Sequence, residues 1–302
     1  MRVTTGHSLR LLQEGTAAAS REIERLSQVL SSGRTLTRPS DNPVAVPGVL
    51  LSRAAVETNK VRQQSLTDAD QWIRASDAML GHVTDALQRT CDIGITAQRV
   101  ALGDAVKTAL STELRDLREH LIALGNSLQG DKYLFAGRET KTKPFEVEAD
   151  GSVSYHGDGG QLLVSVAPGR TIPYNVSGDR VFNMGGATDP ARPDVFEALD
   201  RMATAIETGS PQETIEATRD VQALLEAALN QRAATGVAGQ RVQWATSYVT
   251  DEVLRSKTYL AEVEGADLAD TIIDYRSAEV AYQATLYATD RVASLPTLFQ
   301  LM

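Results

Sequence analysis

The sequence predicts a mainly α protein: long antiparallel helices forming a terminal coiled coil and a helical-bundle rod, with a small β-rich insert. Three observations carry this. A heptad stripe runs through the first thirty residues, a second occupies the C-terminal end, and prolines and glycines concentrate between residues 144 and 193. Hydrophobic residues make up 42% and aromatics only 5%. A chain this rich in Ala, Leu and Val suits helices packed through small side chains.

In the first helix, Leu9, Leu12, Thr16, Ala19, Ile23, Leu26 and Leu30 follow 3-4 spacing, with Thr16 the one polar member. That is an a/d seam of about three heptads. Gly33 after Ser31-Ser32 suits a left-handed cap. In the last helix Leu268, Ile272, Tyr275, Glu279, Tyr282, Leu286, Thr289 and Ala293 keep 4-3 spacing until Pro296 stops it. Both stripes are narrow, which favours pairing with each other over packing on a broad core.

Between the ends, one helical stretch carries Ala69, Trp72, Ile73, Leu80, Val83 and Leu87, and another carries Leu110, Leu114, Leu117, Leu121, Leu124 and Leu128. Ser210-Pro211-Gln212-Glu213 opens a further helix, with a cap, a first-turn proline and a capping-box glutamate. Gly236 and Gly239 are expected to interrupt it. In the insert, Phe145-Glu146-Val147-Glu148 and Val153-Ser154-Tyr155 flank an Asp150-Gly151 hairpin turn. Residues 161–166 and 171–176 form a second pair around Pro168-Gly169, with Pro173 confined to an edge.

The net charge of −9 disfavours nucleic acid as a partner. No apolar run approaches the ~20 residues of a membrane span, so no membrane partner is expected. The N-terminal segment lacks the apolar core of a cleavable signal peptide, which leaves a cytoplasmic location or an export route needing no such signal.

No catalytic, cofactor-binding or metal site emerges. His7, His82, His120 and His156 form no pair at ligand spacing. His82 and the single cysteine, Cys91, lie nine residues apart on one helix, ~900° of rotation, and so face opposite ways. Cys91 reads as buried filler. Gly157-Asp158-Gly159-Gly160 reads as a turn, and Asp267, Asp270 and Asp274 as a solvated acidic face.

Four motifs, in order, carry a resemblance. They are Arg34-Thr35-Leu36-Thr37-Arg38-Pro39-Ser40-Asp41-Asn42-Pro43-Val44; Gly130-Asp131-Lys132-Tyr133-Leu134-Phe135-Ala136-Gly137 with Pro144-Phe145; Tyr155-His156-Gly157-Asp158; and Glu279-Val280-Ala281-Tyr282-Gln283-Ala284-Thr285-Leu286. Together they resemble the bacterial flagellin superfamily, in the form typical of its hook-associated branch. Pro47-Gly48 and Asp70 depart from the family pattern.

The resemblance implies a terminal coiled-coil domain (1–45 with 265–302), a helical rod domain (46–143 with 190–264) and a small outer β-rich domain (144–189). It implies a non-enzymatic structural protein, secreted through the flagellar type III apparatus, self-assembling where hook meets filament. The expected partners are copies of itself, a neighbouring hook-associated protein, flagellin and an export chaperone. The alternatives are a short filament flagellin and, from another class, a helical-bundle enzyme. Three groups of residues are expected to carry the function. The assembly seam comprises Leu9, Leu12, Ala19, Ile23, Leu26 and Leu30 with Ile272, Tyr275, Tyr282 and Leu286. The junction turn is Arg38, Pro39, Ser40, Asp41, Asn42 and Pro43. The C-terminal anchors are Leu295, Leu298, Phe299 and Leu301.

Overall fold

The computed structural model describes residues 5–36, 38–99 and 103–293. Helices dominate: α1 (Thr5–Ser32), α2 (Val46–Arg99), α3 (Asp104–Gly125), α4 (Gly178–Val181), α5 (Val195–Thr208), α6 (Pro211–Glu264) and α7 (Leu268–Ala293). Between α3 and α4 lie six short strands, β1 (Leu128–Gln129), β2 (Lys132–Tyr133), β3 (Phe145–Val147), β4 (Val153–Tyr155), β5 (Leu163–Ala167) and β6 (Arg170–Pro173). Contacts divide the chain into two compact units, Met1–Thr58 with Glu252–Met302, and Asn59–Asp251. Helices α2 and α6 contribute to both.

In the first unit α1 packs along α7. The order is antiparallel, since Gly15 faces Thr285 and Arg34 bridges to Gly265. Gly33 takes the left-handed conformation (φ +67°) that glycine adopts without a Cβ penalty, and its N–H donates to the Val29 carbonyl at 2.7 Å, closing α1. Asp267 opens α7, its Oδ1 accepting from the backbone N–H of Ala269 at 2.9 Å. Pro47 falls in the first turn of α2, where no intrahelical N–H is required, so the helix starts in spite of it.

In the second unit α2 and α6 run antiparallel, tied by Gln63 to Thr250 (2.9 Å), Arg232 to Asp77 (3.1 Å) and Gln98 to Thr218 (2.9 Å). Helix α3 pairs with α5, linked by Arg115 to Glu207 at 2.7 Å and Arg118 to Asp200 at 2.8 Å. The core takes Leu80, Val83 and Leu87 from α2, Leu114 and Leu121 from α3, Leu199 and Met202 from α5, and Val221 and Leu224 from α6. Four of the five phenylalanines, Phe135, Phe145, Phe182 and Phe196, meet in that core. A smaller cluster of Leu66, Ala69, Ile73, Val242, Ala245 and Val249 seals α2 against α6 and receives Val164 of β5.

The strands form three antiparallel hairpins. Phe145 pairs with Tyr155, as the Asp150-Gly151 turn requires, and Pro173 ends an edge strand opposite Leu163. The β1–β2 hairpin has no counterpart in the sequence reading. Two expectations are corrected. Helix α6 continues through Gly236 and Gly239 without a break; a glycine lowers helix propensity by only about 1 kcal/mol, which the packing of Val242, Ala245 and Val249 against α2 offsets. Leu128 does not extend the leucine stripe of α3, and is 54% exposed in β1. The Asn126 side chain exchanges two 3.0 Å bonds with the Phe145 backbone, which turns the chain after Gly125. His82 is exposed and Cys91 is buried, its thiol pushed up to about 11 by burial.

Candidate functional site

The candidate site is the α1–α7 pair with the turn that follows α1. On α1, Leu26 and Val29 are buried, while Leu12, Ala19, Ile23 and Leu30 are half-buried. Leu9 belongs to α1, but its side chain lies outside the described residues. On α7, Tyr275 and Tyr282 are half-buried, whereas Ile272 and Leu286 are 46% and 45% exposed. The covered stripe of α7 runs through Thr271, Tyr275, Ala278, Tyr282, Thr285 and Thr289, again at 4-3 steps.

Threonine occupies this stripe cheaply. Thr271, Thr285 and Thr289 bond their hydroxyls to carbonyls of the preceding turn, at 2.5, 2.8 and 2.7 Å. A hydroxyl bonded to its own helix is not left unsatisfied when the neighbouring helix covers it. Apolar periodicity therefore picks out Ile272 and Leu286, while packing against α1 uses the threonines.

The consequence is an apolar stripe left bare. Ile273, Val280 and Tyr287 recur at steps of seven and are 62%, 65% and 77% exposed. With Ile272 and Leu286 they line the uncovered side of α7. Their seven-residue spacing was available in the sequence and passes unnoticed beside the first stripe. A row of bare apolar residues is a candidate interaction surface.

The turn after α1 is held by side chains. The Asp41 carboxylate accepts from the Arg38 N–H at 2.7 Å, and the Asp41 N–H donates to the Arg38 carbonyl at 3.0 Å. Asn42 Oδ1 accepts from the Ala45 N–H at 3.2 Å, which closes the turn of residues 43–45 that leads into α2 and contains Pro43. Arg38 and Asp41 share a cleft of about 690 Å³ with Arg21, Glu22 and Arg25 of α1. The Arg25 guanidinium is held above its usual range, chiefly by its bond to Glu22 and further by Asp41 and Asp274. Ser40, like Pro39, is exposed.

Two fixed φ angles and these bonds make the turn stiff. Replacing Pro39 and Pro43 by glycine is expected to weaken it by about 1–2 kcal/mol through added unfolded-state freedom. Swarming of cells carrying the double variant, alongside its melting curve, tests this. Full motility would reduce the turn to a passive linker.

The C-terminal anchors Leu295, Leu298, Phe299 and Leu301 lie outside the described residues. Among the described residues, no group of three or more His, Cys, Asp or Glu side chains is placed to hold a metal ion. No helix of the described residues is long and apolar enough to cross a membrane. Asp267 serves as the cap of α7, while Asp270 and Asp274 are exposed, as a solvated acidic face requires.

Comparison with known proteins agrees with this geometry. The bacterial flagellin N-terminal helical region matches residues 5–140. The chain is 26% identical to flagellar hook-associated protein 3 of Salmonella typhimurium over 319 aligned positions, covering 100% of this chain and 99% of that one. Among solved structures, a putative flagellar hook-associated protein from Vibrio parahaemolyticus superposes with a TM-score of 0.67 at 18% identity, covering 74% of this chain and 100% of the other. The flagellar junction protein FlgL from Legionella pneumophila gives 0.61 at 16% identity, covering 72% and 100%. The two solved structures establish the shared fold.

The class these observations define is a mainly α protein with a paired first and last helix, the fold shared with the solved flagellar hook-associated proteins. Over its full length the chain is similar to flagellar hook-associated protein 3, and over residues 5–140 to the flagellin N-terminal helical region.

Proposed function

We propose that this chain sits outside the cell in the flagellum, at the junction of hook and filament, and couples the two for motility. Its activity is assembly. The observation that carries this is the bare stripe of Ile273, Val280 and Tyr287 along a two-helix pair. Water-exposed rows of this kind are stable in an assembly that covers them. The proposed occupants are neighbouring copies of the chain, in a ring or helical layer, with an adjacent hook-associated protein and flagellin at its two faces. Before export, a chaperone would cover α7 and the segment after it, since a helix with such a stripe fits a groove.

The terminal coiled coil, the helical rod and the β-rich outer domain, with the boundaries expected from sequence, belong to the same reading; the two contact units are a coarser division. A short filament flagellin is disfavoured by the full-length match to hook-associated protein 3.

Deleting residues 295–302, with their four apolar anchors, tests the reading. The expected result is loss of filament attachment with an unchanged melting temperature. Global unfolding of the truncated chain would make these residues ordinary core, and normal filaments would remove them from assembly.

A further inference from the structure

We propose that the mid-section of α6 is a second self-association surface, which docks in a head-to-tail sense onto an acidic groove of another copy. This rests on the self-assembly reading and names a contact within it.

Trp244 is 70% exposed, Tyr248 53% and Val237 47%, and with exposed Arg241 they follow 4-3-4 spacing on one face of α6. Trp, Tyr and Arg are the residues most enriched at the energetic centres of interfaces. Between Glu226 and Asp251 this helix carries no acidic residue, and its charges are Arg232 and Arg241. The face is therefore apolar and basic on a chain whose net charge is −9.

Its complement lies in the same unit. A groove of about 620 Å³ opens between α3, the β3–β4 turn, α5 and the start of α6. Asp150, Glu197, Asp200, Glu213, Glu216 and Asp220 line it, against the cations Arg118 and Arg201. Arg118 pairs with Asp200 and Arg201 with Glu197, while Glu213 and Glu216 make no ion pair among the described residues. Phe196, Ala205 and Ala217 supply apolar wall for an aromatic ring.

The two surfaces cannot meet within one chain. Glu216 and Trp244 are twenty-eight residues apart on a continuous helix, ~42 Å along its axis and ~80° around it. Different, complementary patches on one molecule generate a heterologous contact, and repetition of that contact gives a closed ring or a helical row. The second copy is the occupant because its groove supplies the acidic charge that the α6 face lacks.

The test uses flagellated cells expressing the full chain with the photocrosslinker p-benzoyl-phenylalanine in place of Tyr248. The expected product is a dimer of this chain, with the crosslink mapping to residues 194–220 of the second copy. Trp244→Ala and Arg241→Glu are expected to lower dimer yield at least tenfold with unchanged circular-dichroism melts, both positions being exposed. Glu213→Lys with Glu216→Lys is expected to restore yield in the Arg241→Glu background. Crosslinks to another protein, crosslinks elsewhere on the chain, or yields indifferent to Arg241→Glu would overturn this inference. Normal filaments in a strain lacking the chain would instead overturn the junction role itself.

Discussion

Phe182→Ala is expected to destabilise the second unit by about 3–5 kcal/mol, the cost of emptying a fully buried aromatic site. The Phe182 ring lies 4.9 Å from Phe145, 5.3 Å from Phe196 and 6.2 Å from Phe135, centroid to centroid. It stacks on Phe196 and meets the other two edge-on, geometries that add to the burial of area. Phe145 comes from β3, Phe196 from α5, and Phe182 follows α4, so the ring nails three separate segments to one point. The cavity cannot close easily, because each wall belongs to a different element. At roughly 2–4 °C per kcal/mol for a unit of this size, the melting temperature should fall by roughly 6–20 °C. Calorimetry decides the matter. A fall below about 2 °C would mean that the four rings do not form one packed cluster.

Arg53→Met is expected to cost the first unit about 2–3 kcal/mol. Glu264, the last residue of α6, has a side chain only 4% exposed. Its carboxylate lies 2.7 Å from the Arg53 guanidinium and 3.6 Å from that of Arg34. Its backbone carbonyl accepts from the Thr35 N–H at 2.7 Å, and the Ala266 N–H donates to the Gly33 carbonyl at 3.1 Å. The connection leaving α1 and the connection leaving α6 are thus tied at one buried charge. Removing the nearer partner strands that charge, which is costly in a buried site. Arg53 is 44% exposed, so water softens the loss and the low end of the range applies. Methionine keeps the apolar stem, so the change isolates the charge.

Hydrogen exchange at the Thr35 and Ala266 amides should accelerate roughly 30–150-fold, at 1.4 kcal/mol per factor of ten. The double variant Arg53→Met with Glu264→Gln should exchange more slowly than Arg53→Met alone, because no orphan carboxylate remains. Equal protection in the wild type and Arg53→Met would show that Arg34 alone satisfies the carboxylate.

The candidate site was legible in part. The described part of the α1 stripe and the Gly33 cap could be read from neighbouring residues, since each depends on chemistry within one or two helical turns. The phase of α7 could not. Ile272 and Leu286 satisfy an apolar heptad as well as Thr271 and Thr285 do, and only contact with α1 separates the two. The continuity of α6 has no local signal, because glycine weakens a helix locally while the packing of Val242, Ala245 and Val249 against α2 holds it. Trp244 gave no warning either, since nothing in its flanking residues says whether an aromatic on a helix is covered.

By itself the sequence determined the helical class, the heptad ends, the hairpin turn at Asp150-Gly151 and the edge position of Pro173. These follow from propensity, spacing and turn chemistry, which act over a few residues. Only the tertiary structure decided which side of α7 stays bare, that Glu264 is clamped by Arg34 and Arg53, and that phenylalanines from four segments form one cluster. Each of those depends on residues far apart in the chain, and burial, charge pairing and ring packing have no local signature until the fold brings them within a few ångströms.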